Sequence, residues 1–457
     1  MKYDFETLVP RYGKGSFKWE ELRSEDPNIP DDIVPLSVAD MEFKTAPAIV
    51  EGLKKYLDET SLGYTRATDA YYEAVIDWMR RRHGFEPKRE WFVQFSGIVP
   101  ALRHIIGVFT KPGDGVLIMT PVYHQFRMVA EHNGCEIVES ELLLKDGKYE
   151  IDFEDFAAKA ARDDVKLCIL CSPHNPVGRV WTKEELCKIA DICLENNVYL
   201  LDDEIHSDLI MPGYHHVPML SLDEKYHDNL LVCTSPGKTF NLAGMQASNI
   251  FVPNAERREA IEKARGHFSL NALSYKAVEF AYRDSEEWLD EAIAYIDGNR
   301  KFAIEFFRKH YPDVFISEME GTYLLWVDLH SFGMTMEEQE KLLREKALLY
   351  VTGADILDGT PIYDVKPYLA YTDSHPEAQG GFAKGPGEGS LTVEITDDLK
   401  AQIPPHLYDG VIALLREDPR PGYQHDPERI YMMAFGSIEV HFTVNENILT
   451  VKKVLAL

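Results

Sequence analysis

Apolar positions along the chain follow two rhythms. In "AIVEGLKKYLDE" and "AYYEAVIDWMRRRHG" they recur three and four residues apart, which predicts helices, with Gly84 placed to cap the second at its C-terminus. In "GVLIMTP", "VKLCILCSP", "VYLLDDE", "LLVCTSP" and "SNIFVP" they run without interruption and stop at polar or turn residues. Such runs predict strands buried on both faces, as in a largely parallel sheet. Between two of them, "TKEELCKIADICLENN" opens with Thr182 and Glu185 at capping-box spacing. Helices alternating with buried strands give an α/β architecture, in which ligands sit beyond the carboxyl ends of the strands.

The same pattern divides the chain. Residues 1–45 predict an extended arm with one short helix, and residues 46–280 a large domain built on the sheet. Residues 281–457 predict a smaller α+β domain. It has a long helix near 285–309, two strands in "DVFISEMEGTYLLWVDL", a helix near 336–348, and a strand then a helix in "GSIEVHFTVNENILTVKKVL". An insertion at about 355–433, rich in Pro, Gly and Tyr, interrupts it.

Composition narrows the function classes. With 457 residues, 45% of them hydrophobic and 27% charged, the chain has the profile of an ordinary globular protein with ample core. Its net charge of -28, with no basic cluster, argues against nucleic acid as a partner. No apolar run is long enough to span a membrane and the N-terminus carries no apolar targeting segment, so the expected location is the cytoplasm. The 6 cysteines lie mostly in apolar segments, the habit of reduced thiols. Cys168 and Cys171 form a C-x-x-C, but on a strand residues three apart face opposite ways, so no shared metal or bridge is expected there; no metal site is expected elsewhere.

Candidate chemistry lies where strands end. Lys238 follows "LLVCTSP", Asp203 follows "VYLLD", Asn175 follows "VKLCILCSP" and Tyr123 follows "VLIMTP". If those strands are parallel neighbours, the four side chains converge on one crevice. Gly97, in "QFSGIVPAL", stands at a turn into a helix whose free N–H groups would suit a phosphate. A lysine in "CTSPGKTFNLAG" is either a solvated loop charge or an amine held to form a Schiff base. With an aspartate, an aromatic face and a phosphate cradle around it, the constellation suits pyridoxal 5'-phosphate. Asp202 competes with Asp203 for the ring nitrogen but should point to the other face of its strand.

These segments resemble the fold-type I pyridoxal-phosphate enzymes, the class I/II aminotransferase superfamily, and within it the MalY/PatB cystathionine β-lyase group. "VADMEFKTAPAI", "GYTRATDAYYEAVIDWMRRRHG", "GIVPAL", "CSPHNPVGRVWTKEEL", "DDEIHSDLI", "SPGKTFNLAGMQ" and "EGTYLLWVDL" carry the likeness in order. The resemblance implies a seven-stranded, mostly parallel sheet between helices. It implies Lys238 as the Schiff-base lysine and Asp203 on the pyridine nitrogen, with Asn175 and His206 beside the phenolic oxygen and Tyr123 stacked on the ring. Gly97, Ile98, Val99 and Ser235 would hold the phosphate, joined by Tyr64 from the partner subunit of a homodimer with shared sites. Where the superfamily often has an arginine eight residues after the lysine, this chain has Gln246. Aligning "GSIEVHF" with the superfamily's C-terminal motif puts Glu439 where an arginine clamps the substrate carboxylate, and Ser37 stands where relatives carry a tryptophan. An arginine of the insertion, such as Arg416, Arg420 or Arg429, could then take over the clamp. The implied activity is carbon–sulfur β-elimination from cystathionine or cysteine S-conjugates. The alternatives are amino transfer, a related reaction on an atypical amino substrate because of Glu439, and a binding or regulatory role on this scaffold.

Overall fold

The computed structural model describes residues 1–25, 34–335, 338–339, 341–343, 349–350, 362–365, 391–400, 402–404, 408, 411–412, 415–416, 429–435, 438–445 and 447–456. The chain forms two compact units, Met1–Tyr371 and Thr372–Leu457.

The first unit is organised by a seven-stranded sheet. Its strands are β1 (Phe92–Phe95), β2 (Gly115–Thr120), β3 (Glu136–Glu141), β4 (Val165–Cys171), β5 (Tyr199–Asp203), β6 (Leu230–Thr234) and β7 (Ser248–Phe251). Their spatial order is β1-β7-β6-β5-β4-β2-β3. β7 runs antiparallel to both neighbours, and the remaining pairs are parallel. Every residue of β2 and β6 is buried, as continuous apolar runs require when helices cover both faces. Alternate strand residues feed two separate cores. Cys168, Leu170, Leu200 and Val232 belong to one, and Leu167, Ile169, Cys171, Leu201 and Cys233 to the other. Cys168 and Cys171 are therefore on opposite sides of the sheet.

Helix ends follow the local signals. α1 (Asp69–His83) starts at Thr68, whose side chain accepts from Tyr71 N–H, and stops at Gly84 with φ 65°. α2 (Ile98–Phe109) starts at Gly97, whose φ of 118° is a conformation that glycine adopts most readily. α3 (Lys183–Glu195) carries the full Thr182–Glu185 capping box, an arrangement worth about 1 kcal/mol. β6 leads directly into the one-turn helix α4 (Pro236–Thr239), and the long helix α5 spans Glu286–His310. β8 (Phe315–Ile316), β9 (Leu325–Asp328) and β10 (Ile362–Val365) form a small antiparallel sheet. Of the helix expected near 336–348, residues 338–339 and 341–343 are described and helical.

The second unit corrects the expectation for the C-terminus. Strands β11 (Thr392–Glu394), β12 (Tyr431–Phe435), β13 (Ile438–Asn445) and β14 (Ile448–Ala456) form a four-stranded sheet in the order β11-β14-β13-β12. Its core, including Leu391, Val411, Leu415, Val440, Phe442 and Val451, is its own. Residues 436–457 are thus not the closing part of a domain that begins at 281. Nor is β14 a helix. Its paired lysines break the alternation of a regular strand, because between Val451 and Lys453 the register gains one residue against His441/Phe442. A bulge at Lys452 absorbs that residue and leaves both lysines exposed while Val451 and Val454 stay inside. Most of the 355–433 stretch, Arg420 included, lies outside the described residues.

Candidate active site

Lys238, Asp203, Asn175 and Tyr123 stand at or just beyond the carboxyl ends of β6, β5, β4 and β2, which are consecutive, parallel neighbours. Their shared carboxyl edge opens into a cavity of about 320 Å³, within the usual range for small-molecule sites. All four line it, together with Gly97, Ile98, Val99, His206, Ser235, Ser37 and Gln246. Tyr64 does not line it and is fully exposed, while Asp202 lies beneath the sheet edge, wholly buried. Ala39, His124, Gln125, Ile205, Leu242, Ala243 and Ala247 also face the cavity. Sequence reasoning missed these because most contribute backbone or apolar surface.

The polar atoms here are set up for a guest. The side-chain oxygen Oδ1 of Asn175, Nδ1 of His206 and the Ser37 hydroxyl are buried without a protein partner; a buried polar atom costs free energy unless something binds it. Burial pushes the Asp203 carboxyl up to about 7, against the Ile205 N–H, which donates to Oδ1 at 3.1 Å, and the Lys238 charge, both of which pull it down. Burial, and then Lys238, push His206 down to about 3, so its imidazole is neutral. On the Gly97 side of the cavity, the N-terminus of α2 carries no side-chain cap. The Ser235 hydroxyl accepts from Gly237 N–H at 3.0 Å and donates to the Ala247 carbonyl at 2.7 Å. It would have to rotate to serve a phosphate. Lys238 is the only lysine or arginine among the described residues lining the cavity, and Gln246, in a left-handed conformation at φ 49°, offers an amide instead.

Behind the lysine turn sits a carboxylate that sequence reasoning passed over. Asp208, buried, accepts from Trp78 Nε1 at 2.9 Å and Thr239 Oγ1 at 2.7 Å, and lies 2.8 Å from His83 Nε2. Burial would raise its carboxyl, but the His83 bond and charge and the Thr239 hydroxyl hold it below the usual value. One side chain thus ties α1 to the residue next to Lys238. Asp208→Asn keeps an acceptor for the indole but removes the charge facing His83. It should lower unfolding free energy by about 1–3 kcal/mol in a urea titration, with the slope unchanged.

The arm closes the cavity from the other side. Lys238 Nζ donates to the Ala39 carbonyl at 2.6 Å, and Tyr323 Oη donates to the same oxygen at 2.7 Å. Asp40 is held by Arg11 at 2.6 Å and Lys18 at 2.8 Å, and Lys18, itself buried, also pairs with Glu42. Burial would raise the Asp40 carboxyl, yet these cations bring it down to about 2.

Residues 31–357 match the aminotransferase class I and II family. The chain belongs to that family. Cystathionine beta-lyase PatB of Bacillus subtilis is 39% identical over 354 residues, 77% of this chain and 91% of that protein. A crystal structure of cystalysin from Treponema denticola, containing a pyridoxal 5'-phosphate cofactor, is 43% identical with a TM-score of 0.78, over 80% of this chain and 94% of that one. The pyridoxal-phosphate-bound C-S lyase from Staphylococcus hominis is 31% identical with a TM-score of 0.73, over 80% and 94%.

Residues 389–457 match a different family, the TrmO C-terminal domain. This removes the basis for aligning "GSIEVHF" with the aminotransferase motif. Glu439 sits in β13, a strand of strict in–out alternation, on the face turned away from that unit's core, and its Oε1 lies 2.6 Å from His441 Nε2. It is a strand residue of the second unit. No arginine lines the cavity among the described residues.

Proposed function

We propose that the chain is a pyridoxal-phosphate carbon–sulfur β-lyase acting on cystathionine or cysteine S-conjugates. The reading rests on one observation above all. A lysine amine, a buried carboxyl and two unpartnered buried polar atoms meet at four adjacent strand ends. The family match and the lyase names of the similar proteins support it.

The residues present fit the cofactor. Lys238 would hold it covalently, Asp203 would face the pyridine nitrogen, Asn175 and His206 the phenolic oxygen, and Tyr123 the ring face. Gly97, Ile98, Val99 and Ser235 would hold the phosphate. When bound, the cofactor supplies an electron sink for the charge left at the substrate Cα. The chain's own residues do the rest. Asp203, whose carboxyl keeps its proton to about 7, would supply a proton to a ring nitrogen placed against it. Neutral His206 accepts or donates one hydrogen bond without adding a charge. Lys238, its amine resting on the Ala39 carbonyl, takes the Cα proton as general base. The Cβ–S bond then breaks and the sulfur leaves as a thiol. With one water consumed, the remaining fragment gives pyruvate and ammonia.

The reading includes a homodimer. Tyr64 is fully exposed in a single chain, and among the described residues a phosphate in the cavity meets no lysine or arginine but Lys238. Tyr64 of a second copy would supply a further hydroxyl. The expected location remains the cytoplasm.

Incubation with cystathionine should release pyruvate and a free thiol in equal amounts. Transfer of the amino group to a keto acid, with no thiol, would replace the lyase reading by the aminotransferase one that the family also contains.

A further inference from the structure

We propose that Asn241 is a positioning residue. It latches the arm segment Ser37–Met41 onto the lysine turn, so that the arm wall of the cavity and Lys238 move as one body. The inference rests on the proposed site, but its main readout does not depend on the reaction.

Three residues beyond Lys238, Asn241 takes a left-handed conformation, φ 56°. That turn aims its carboxamide at the backbone of Met41. Its Oδ1 accepts from Met41 N–H at 2.9 Å and its Nδ2 donates to the Met41 carbonyl at 2.7 Å. A carboxamide is the side chain that offers a donor and an acceptor side by side, so it can pair a single residue's backbone as a neighbouring strand would. Asparagine is also among the few side chains that tolerate φ above zero. Two demands, one conformational and one chemical, therefore meet in one residue type.

The latch has a purpose because of what it holds. Ser37, Val38 and Ala39 line the cavity, and the Ala39 carbonyl receives both Lys238 Nζ and Tyr323 Oη. The wall is gripped from two sides where it ends, at Asp40 and Met41. Arg11 and Lys18 hold Asp40 from outside, and Asn241 holds Met41 from the lysine side. With either grip lost, the segment would still be attached to the chain, but its distance from the lysine amine would no longer be set. Geometry at the reacting amine is where such looseness is felt most.

The test uses the full-length holoenzyme and two variants. Asn241→Gly keeps the left-handed turn and deletes the amide. Asn241→Asp keeps the acceptor for Met41 N–H and loses the donor. In Asn241→Gly, amide exchange across residues 38–42 should speed up roughly tenfold, the scale of one or two net hydrogen bonds. The KM for cystathionine should rise by more than kcat falls, and cofactor affinity should stay within about twofold. In Asn241→Asp, slow exchange at Met41 N–H should return. Exchange across 38–42 unchanged in Asn241→Gly overturns the latch. So does acceleration spread evenly over the whole chain, which would mark Asn241 as an ordinary stability residue. If cystathionine is not turned over but the arm alone is deprotected, the latch stands and the lyase reading falls.

Discussion

Lys238→Ala should abolish turnover, with kcat down by at least about 10⁴-fold, the upper end for loss of a positioned general base, because the covalent attachment goes with it. The fold should survive. Lys238 lies within a one-turn helix held by Asp208 through Thr239, and the Ala39 carbonyl keeps Tyr323 as a donor. The variant should still take up cofactor through Asp203, Asn175 and the α2 N-terminus, but release it on dialysis and lack the yellow colour of the lysine adduct. Lys238→Arg separates charge from nucleophile. It keeps a cation that never deprotonates near neutral pH, and should be as inactive as alanine. A small primary amine added to Lys238→Ala should restore part of the rate by entering the space left behind. Turnover within about tenfold of wild type in either variant would remove Lys238 from the mechanism.

The convergence of the proposed cofactor residues was legible in the chain because it obeys two local rules at once. Apolar runs long enough for one strand end abruptly in Tyr123, Asn175, Asp203 and Lys238, and parallel pairing of those strands brings the ends together. Strand alternation also separates Asp203 from Asp202 and Cys168 from Cys171. The arm wall was not legible, because it acts through backbone. Nothing in the side chain of Ala39 announces that its carbonyl receives the lysine amine, and the role of Asn241 depends on a backbone angle and a segment 200 residues away. The C-terminus misled for a different reason. A short Gly-x-Ile-x-Val alternation is what any half-buried strand looks like, so likeness over seven residues of "GSIEVHF" carried no positional information. The Lys452 bulge then disguised the following strand as a helix.

Asp203→Asn should separate the cost of the site from its use. The Asp203 carboxyl rises from 3.8 in the unfolded chain to about 7 in the fold, chiefly through burial. Below about pH 3.8 the group is protonated in both states and takes nothing from stability. From there up to about 7 the unfolded chain releases the proton while the folded chain retains it, so folding stability falls as pH rises, and levels off above. At 1.36 kcal/mol per unit, the loss is about 4 kcal/mol for the cofactor-free protein. An asparagine side chain in that position would carry no such burden. The cofactor-free variant should therefore exceed wild type in stability by up to about 4 kcal/mol near pH 8 and match it near pH 4. The check is the difference between the two pH profiles in urea, in which the titrating groups that do not couple to Asp203 cancel. Parallel profiles would mean that Asp203 is not the buried proton-holder. Bound cofactor should invert the order, because a protonated ring nitrogen pairs the carboxylate that burial penalises, and breaking a buried pair costs about 3–5 kcal/mol. On that scale kcat of Asp203→Asn falls roughly 10²–10⁴-fold. A gain in stability without cofactor, joined to a loss of rate with it, is the signature of a residue retained for chemistry against the preference of the fold.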